Sequence, residues 1–149
     1  MANLLGPRTV WQENTGHHLT GEAWANVNAF VARVYAVVRD GPRLDLWSLF
    51  AMIEALEQPR TSRQLDDLLP AAAAWIVHAG KELKSNDFPY AYYHFDDDEA
   101  KRDPWSKGEL WTGRNAFNPE RWDFWRQRFK EISESSDVSD RSGRLLCGL

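Results

Sequence analysis

Residues 117–129, FNPERWDFWRQRF, constrain the fold of this chain more than any other stretch. Asn118 reads as an N-cap, because its side-chain oxygen can accept from a free backbone N–H of a first helical turn. Pro119 follows at the first helical position, where a missing N–H costs nothing. Glu120 places negative charge at the positive end of the helix dipole. Phe117, just before the cap, can fold back on the first turn as a hydrophobic staple. Trp122, Trp125, Phe129 and Ile132 recur at helical spacing, and Asp123, Arg126, Gln127, Lys130 and Glu131 fall on the opposite face. A helix of this kind must bury two indoles and a phenyl ring, so other apolar elements have to cover it.

Three further helices can be read along the chain. The first is expected over about residues 20–39, capped by Thr20, with Trp24, Val27, Val31, Val34 and Val38 as its stripe. Phe30, Tyr35 and Val37 widen that stripe, so more than one neighbour has to cover it. Asp40-Gly41-Pro42 ends it. The second is expected over about residues 44–58, with Leu46, Leu49, Phe50, Ile53 and Leu56 on one side, Trp47 flanking, and Pro59 as the stop. A short connection favours an antiparallel hairpin between these two. Arg60 to Leu69 read as a connector, followed by a third helix over about 67–83 with Pro70 in its first turn. The alanines at 71–74 are strong helix formers, and Trp75, Ile76 and Ala79 face inward.

The expected fold class is therefore all-α: an irregular bundle of four main helices plus short turns. Residues 1–19 read as an N-terminal arm, and 20–149 as a single helical domain. Within it, about 85–116 form an aromatic-rich irregular flap. That stretch is long for a connection without structure, yet it holds Phe88, Tyr90, Tyr92, Tyr93, Phe95, Trp105 and Trp111, and disordered segments are poor in aromatics.

Charge and motif content narrow the partners. The 18 basic and 22 acidic residues are spread along the chain, with no basic stripe, which argues against nucleic acid and anionic membrane surfaces. No apolar run approaches the ~20 residues of a membrane span. Cys147 is the only cysteine, so no internal disulfide can form, and a reducing compartment is expected: the cytoplasm, with the nucleus as the alternative. His17-His18 lack further ligands nearby and read as a solvated pair. The run Asp96-Asp97-Asp98-Glu99 fails as a calcium loop, because Lys101 and Lys107 stand where glycine and glutamate are needed. No metal and no cofactor is expected. P-loop, dinucleotide, nucleophile-elbow and zinc-protease patterns are absent.

The chemistry-bearing candidates are few. His78 shares a helix face with Trp75, and Tyr93 or an aspartate could partner its imidazole. Arg121 lies in a first helical turn, where positive charge opposes the dipole. An ion pair, or a cation–π contact with Trp111 or Trp122, would explain it; an ordinary surface arginine is the plainer reading. A ligand site, if present, is expected where Trp75, His78, Tyr93, Trp111 and Arg121 approach one another beneath the flap.

The combination of AAAAWIVHAG, GELW and FNPERWDFW resembles a fungal family of unknown function, the domain of unknown function 3632. The residues that carry the resemblance are Ala73, Ala74, Trp75, Ile76, Ala79 and Gly80, then Gly108, Leu110 and Trp111, then Phe117, Arg121, Trp122, Phe124 and Trp125, spanning roughly 44–130. The resemblance implies an α-helical, intracellular, fungal protein shortened at its C-terminus, and supplies no activity. Three functional readings stay open on the sequence, which does not itself say what the protein does. One is a non-catalytic protein-interaction module. Another is a binder of a small apolar molecule, or a cofactor-free enzyme, with an aromatic pocket near His78. The third is a fragment without independent function.

Overall fold

The computed structural model of the protein describes residues 21–38, 44–85, 108–113 and 117–135. The arm, Thr20, most of the flap including Tyr93, and residues after Ser135 lie outside the described residues. Of the described residues 80% are helical and none is in a strand, which makes the fold all-α. Among the described residues the helices are α1 (Gly21–Val37), α2 (Asp45–Leu56), α3 (Ser62–Lys84) and α4 (Pro119–Glu134).

α3 starts five residues earlier than its apolar pattern indicates. Thr61 is its N-cap: the Gln64 N–H donates to Thr61 Oγ1, and the Thr61 N–H donates to Gln64 Oε1 at 2.9 Å. This reciprocal capping box satisfies two first-turn donors. Residues 62–69 are therefore helix rather than connector, and Pro70 sits inside it. Proline there removes one backbone donor and crowds the carbonyl four residues back, a local cost that the long buried face offsets. That face carries Leu65, Leu68, Leu69, Ala72, Trp75, Ala79 and Leu83.

α1 lies along α3, the most extensive helix pair in the fold. Gly21 abuts Asp67, Asn28 meets Trp75 and Arg33 meets His78, so the two helices run in the same sense. A Cβ on Gly21 would come within 2.9 Å of the Asp67 Cα, so this approach requires glycine. The buried face of α1 is Trp24, Asn28, Ala32 and Tyr35, one residue out of phase with the valine stripe. Asn28 causes the rotation. Its amide donates to the Trp24 carbonyl at 2.9 Å and its oxygen accepts from Trp75 Nε1 at 2.8 Å, so a polar side chain is buried with its bonds made. Val27, Phe30, Val37 and Val38 face outward instead.

α2 is the central element among the described helices and touches each of the other three. Leu49, Ala51, Met52, Ile53, Ala55 and Leu56 are buried around most of its circumference, and Leu46, Trp47 and Phe50 are half-buried. In place of a hairpin contact with α1, the two helices meet at their first turns, where Trp24 stacks on Trp47 with centroids 6.4 Å apart.

α4 docks on α2 alone among the described helices. Its start follows the local code: the Arg121 N–H donates to Asn118 Oδ1 at 2.8 Å, and Phe117 stacks on Trp122 four residues inside the cap, with centroids at 6.3 Å. Its buried face is Arg121, Trp125, Phe129 and Ile132. Trp122 moves to the flank, half-buried, because an arginine heads the stripe.

Candidate functional site

The end of α2 holds the densest polar arrangement among the described residues. A helix C-terminus leaves carbonyls without intrahelical partners. Here the Arg60 Nε donates to the Glu54 carbonyl at 2.8 Å, and the Arg128 Nε donates to the Leu56 carbonyl at 3.1 Å. The Leu110 N–H donates to the Glu57 carbonyl at 2.9 Å. Two of these donors come from distant chain segments, so the helix end itself gathers the fold.

Glu57 is the residue after α2, and both its side chain and that of Arg121 have 0% exposure. Arg121 Nε donates to Glu57 Oε1 at 2.7 Å and Nη2 to Oε2 at 2.9 Å, a two-pronged pair. Trp125 Nε1 donates to Oε1 at 2.7 Å, and the Gly108 N–H donates to Oε2 at 2.9 Å. A carboxylate offers about four acceptor positions, and all four are taken. The guanidinium carbon lies 5.3 Å from the Trp125 ring centroid and 6.0 Å from that of Trp111, so the cation is also held between indoles. Trp111 packs on Phe124 with centroids at 5.3 Å.

Glycine at 108 follows from this geometry. A Cβ there would fall 2.3 Å from the Glu57 carbonyl oxygen and 2.4 Å from the Glu57 Cβ. Gly113 has the same origin, since its Cβ would meet the Trp111 ring at 2.2 Å. The Gly-x-Leu-Trp and Arg-Trp-x-Phe-Trp segments thus converge on a carboxylate more than fifty residues upstream.

The expected site residues divide into two places. Trp111 and Arg121 come together at the α2–α4 junction, with the ion pair and cation–π contact made to Glu57, Trp111 and Trp125 rather than to Trp122. Trp75 and His78 lie on the α1–α3 seam, and α3 makes no helix contact with α4. Trp75 is fully buried, with its N–H bound to Asn28. Tyr93 lies outside the described residues. His78 is half-buried beside Arg33, whose Nη2 lies 3.4 Å from Nε2. Burial, and then the Arg33 charge, hold His78 below its ordinary 6.5. A neutral imidazole can accept from that guanidinium.

Glu57 and Asn28 were not candidates on the sequence. Glu57 carried a usable signal: negative charge at a helix C-terminus opposes the dipole, as Arg121 does at an N-terminus. Each charge sits at the wrong end of its own helix, and each is answered by the other. Among the described residues no group of three His, Cys, Asp or Glu side chains gathers as a metal site requires, and no helix is long and apolar enough to cross a membrane.

These features define an all-α domain whose last described helix is locked to the central one by a buried ion pair in which every acceptor position of the carboxylate is taken. The chain belongs to the family described as protein of unknown function (DUF3632), which matches residues 4–129. That match takes in most of the segment read as an arm. No curated protein and no solved structure matches the chain.

Proposed function

We propose that this domain is a non-catalytic protein-interaction module that docks a partner through the outer face of α1. One observation carries the reading. α1 buries one face in the bundle and leaves a second apolar row in solvent, with Phe30 66% and Val37 83% exposed and Val27 and Val38 beside them. These positions fall at i, i+3, i+10 and i+11, and half-buried Val34 fills the gap, so they form one continuous strip. Scattered apolar residues on a surface are ordinary, whereas an unbroken apolar strip bordered by polar groups supports the reading of a small contact surface. The charged centre at Glu57 and Arg121 supports the same reading, because its four donor–acceptor bonds leave the carboxylate no acceptor position for a substrate. A cytoplasmic or nuclear location fits a chain with Cys147 as its only cysteine.

The alternative, a small-molecule binder near His78, draws on the partly accessible neutral imidazole beside Arg33. One experiment separates the two. Tagged wild-type, Phe30→Glu and His78→Ala chains are purified from source cells and examined by native mass spectrometry. A protein partner retained by wild type and His78→Ala but lost from Phe30→Glu supports the interaction module. A small ligand retained by wild type and Phe30→Glu but lost from His78→Ala supports the binder and overturns the module.

A further inference from the structure

We propose that the outer face of α1 seats an acidic amphipathic helix, with its apolar anchors on Phe30, Val34 and Val37 and a carboxylate on Arg33. The proposal rests on the interaction reading above and names the chemistry of the partner. Arg33 is three residues after Phe30 and four before Val37, so its guanidinium borders the apolar strip. It is exposed, and its one polar contact is His78; among the described residues no carboxylate pairs with it. Arg33 stands just before the last turn of α1, outside the turn in which the dipole favours a cation. On α3, exposed Lys81 stands one helical turn past His78 with half-buried Glu82 beside it, and Lys84 lies about 120° around the helix from His78. Those two lysines do serve the C-terminal dipole of α3. Arg33 and Lys81, against Glu82, nevertheless leave the His78 side of the strip positive on a chain whose net charge is −4. An apolar row with a basic rim is complementary to a helix with an apolar row and an acidic rim.

A second copy of the chain is a poorer occupant. The strip from Val27 to Val38 is roughly 16 Å long at about 1.5 Å per residue and about 10 Å wide. That falls well short of the ~800 Å² per partner of a stable interface. Two copies would also bring two unpaired Arg33 side chains to one contact. A single partner helix needs less area and supplies the missing anion.

The test uses the full 149-residue chain. Two synthetic helical peptides share one leucine row and differ only in their rim, glutamate in one and lysine in the other. Fluorescence anisotropy measures binding, and backbone NMR shifts locate it. The glutamate peptide is expected to bind about tenfold tighter at low salt, with the gap closing as salt screens the rim. Arg33→Glu should reverse the order, and Phe30→Glu should abolish both while leaving the circular dichroism spectrum unchanged. Equal affinity for both peptides, still lost in Phe30→Glu, overturns the acidic partner and leaves the α1 docking face standing. Binding of neither peptide, with no shift at Phe30 or Val37, overturns both. A dimer in sedimentation equilibrium that Phe30→Glu dissociates assigns the face to a second copy and also overturns the proposal.

Discussion

Replacing Glu57 with glutamine keeps the shape of the side chain and removes its charge. The carboxylate accepts from four donors: Arg121 Nε, Arg121 Nη2, Trp125 Nε1 and the Gly108 N–H. An amide has one oxygen to offer, and its NH₂ faces donors where an acceptor stood. Two donors are therefore orphaned, at about 1–3 kcal/mol each. One of them belongs to a guanidinium with 0% exposure and no remaining countercharge at Glu57. Breaking one side of a buried ion pair costs about 3–5 kcal/mol, and this figure already contains the orphaned donors. For a domain of this size each kcal/mol moves the melting temperature by roughly 2–4 °C, so Glu57→Gln should lower it by about 6–20 °C. The assay is urea and thermal denaturation followed by far-UV circular dichroism, run as a double-mutant cycle with Arg121→Met. Arg121→Met alone strands the carboxylate and should cost a similar amount. In the double variant no charge remains, and the glutamine oxygen can still accept from Trp125 or Gly108. Its loss should therefore be smaller than the sum of the singles by more than the ~0.5 kcal/mol within which independent sites add. Additive losses, or a Glu57→Gln melting temperature within a degree or two of the parent, would refute the buried-pair argument.

Three further outcomes follow from the structure. Trp125→Ala should cost about 3–5 kcal/mol in chemical denaturation, while Trp122→Ala, half-buried on the flank, should cost clearly less; equal losses would contradict the phase of the α4 stripe. Gly108→Ala drives a methyl into the Glu57 backbone and should destabilise by about 1–3 kcal/mol or more; a neutral result would mean that the 108–111 segment does not press on α2. His78 is held below its ordinary 6.5, so in the unfolded chain it takes up a proton at higher pH than in the folded one. Its stabilising contribution is present above about pH 6.5 and is lost as pH falls through the folded value. The wild-type melting temperature should therefore drop more on acidification from about pH 7 to pH 5 than that of His78→Gln, and parallel curves would sink this.

What the sequence made legible was local. Asn118, Pro119 and Phe117 act within five residues of one another, and each does what its position implies. Thr61 and Gln64 were equally local, a Thr-x-x-Gln box in plain view, but the proline at 70 drew the helix start toward itself. The phase errors have a different cause. Periodicity assumes that polar residues face water, and Asn28 and Arg121 do not. Each is buried because another residue completes its bonds, Trp75 from 47 positions away and Glu57 from 64. Turning the stripe by one residue moves Val27 and Trp122 outward and brings the polar anchor inward. Nothing in a window of one helix can reveal that. The wrong-way charges at Glu57 and Arg121 were the one long-range hint, and they could be matched only as a pair.

The buried anchors also bear on where function resides. Among the residues that carry the family resemblance, Trp75 and Trp125 are almost fully buried. A buried indole N–H needs an acceptor, and these find Asn28 Oδ1 at 2.8 Å and Glu57 Oε1 at 2.7 Å. Gly108 is small so that its N–H can reach Glu57, and Arg121 neutralises the charge that reaching requires. Each of these residues is explained by another member of the two anchors, with no polar valence left over on the Glu57 carboxylate. Residues accounted for by the fold in this way need no ligand to explain them. The outer face of α1 is the reverse case: Phe30 and Val37 contribute nothing evident to the bundle and cost hydration while they remain exposed, and Arg33 adds only its 3.4 Å contact with His78. Substituting Phe30 and Val37 with polar residues of good helix propensity should therefore leave stability unchanged or raise it, as urea denaturation would show. A fall of more than about 1 kcal/mol would mean that the face is already used within the chain, and the docking reading would have to be given up.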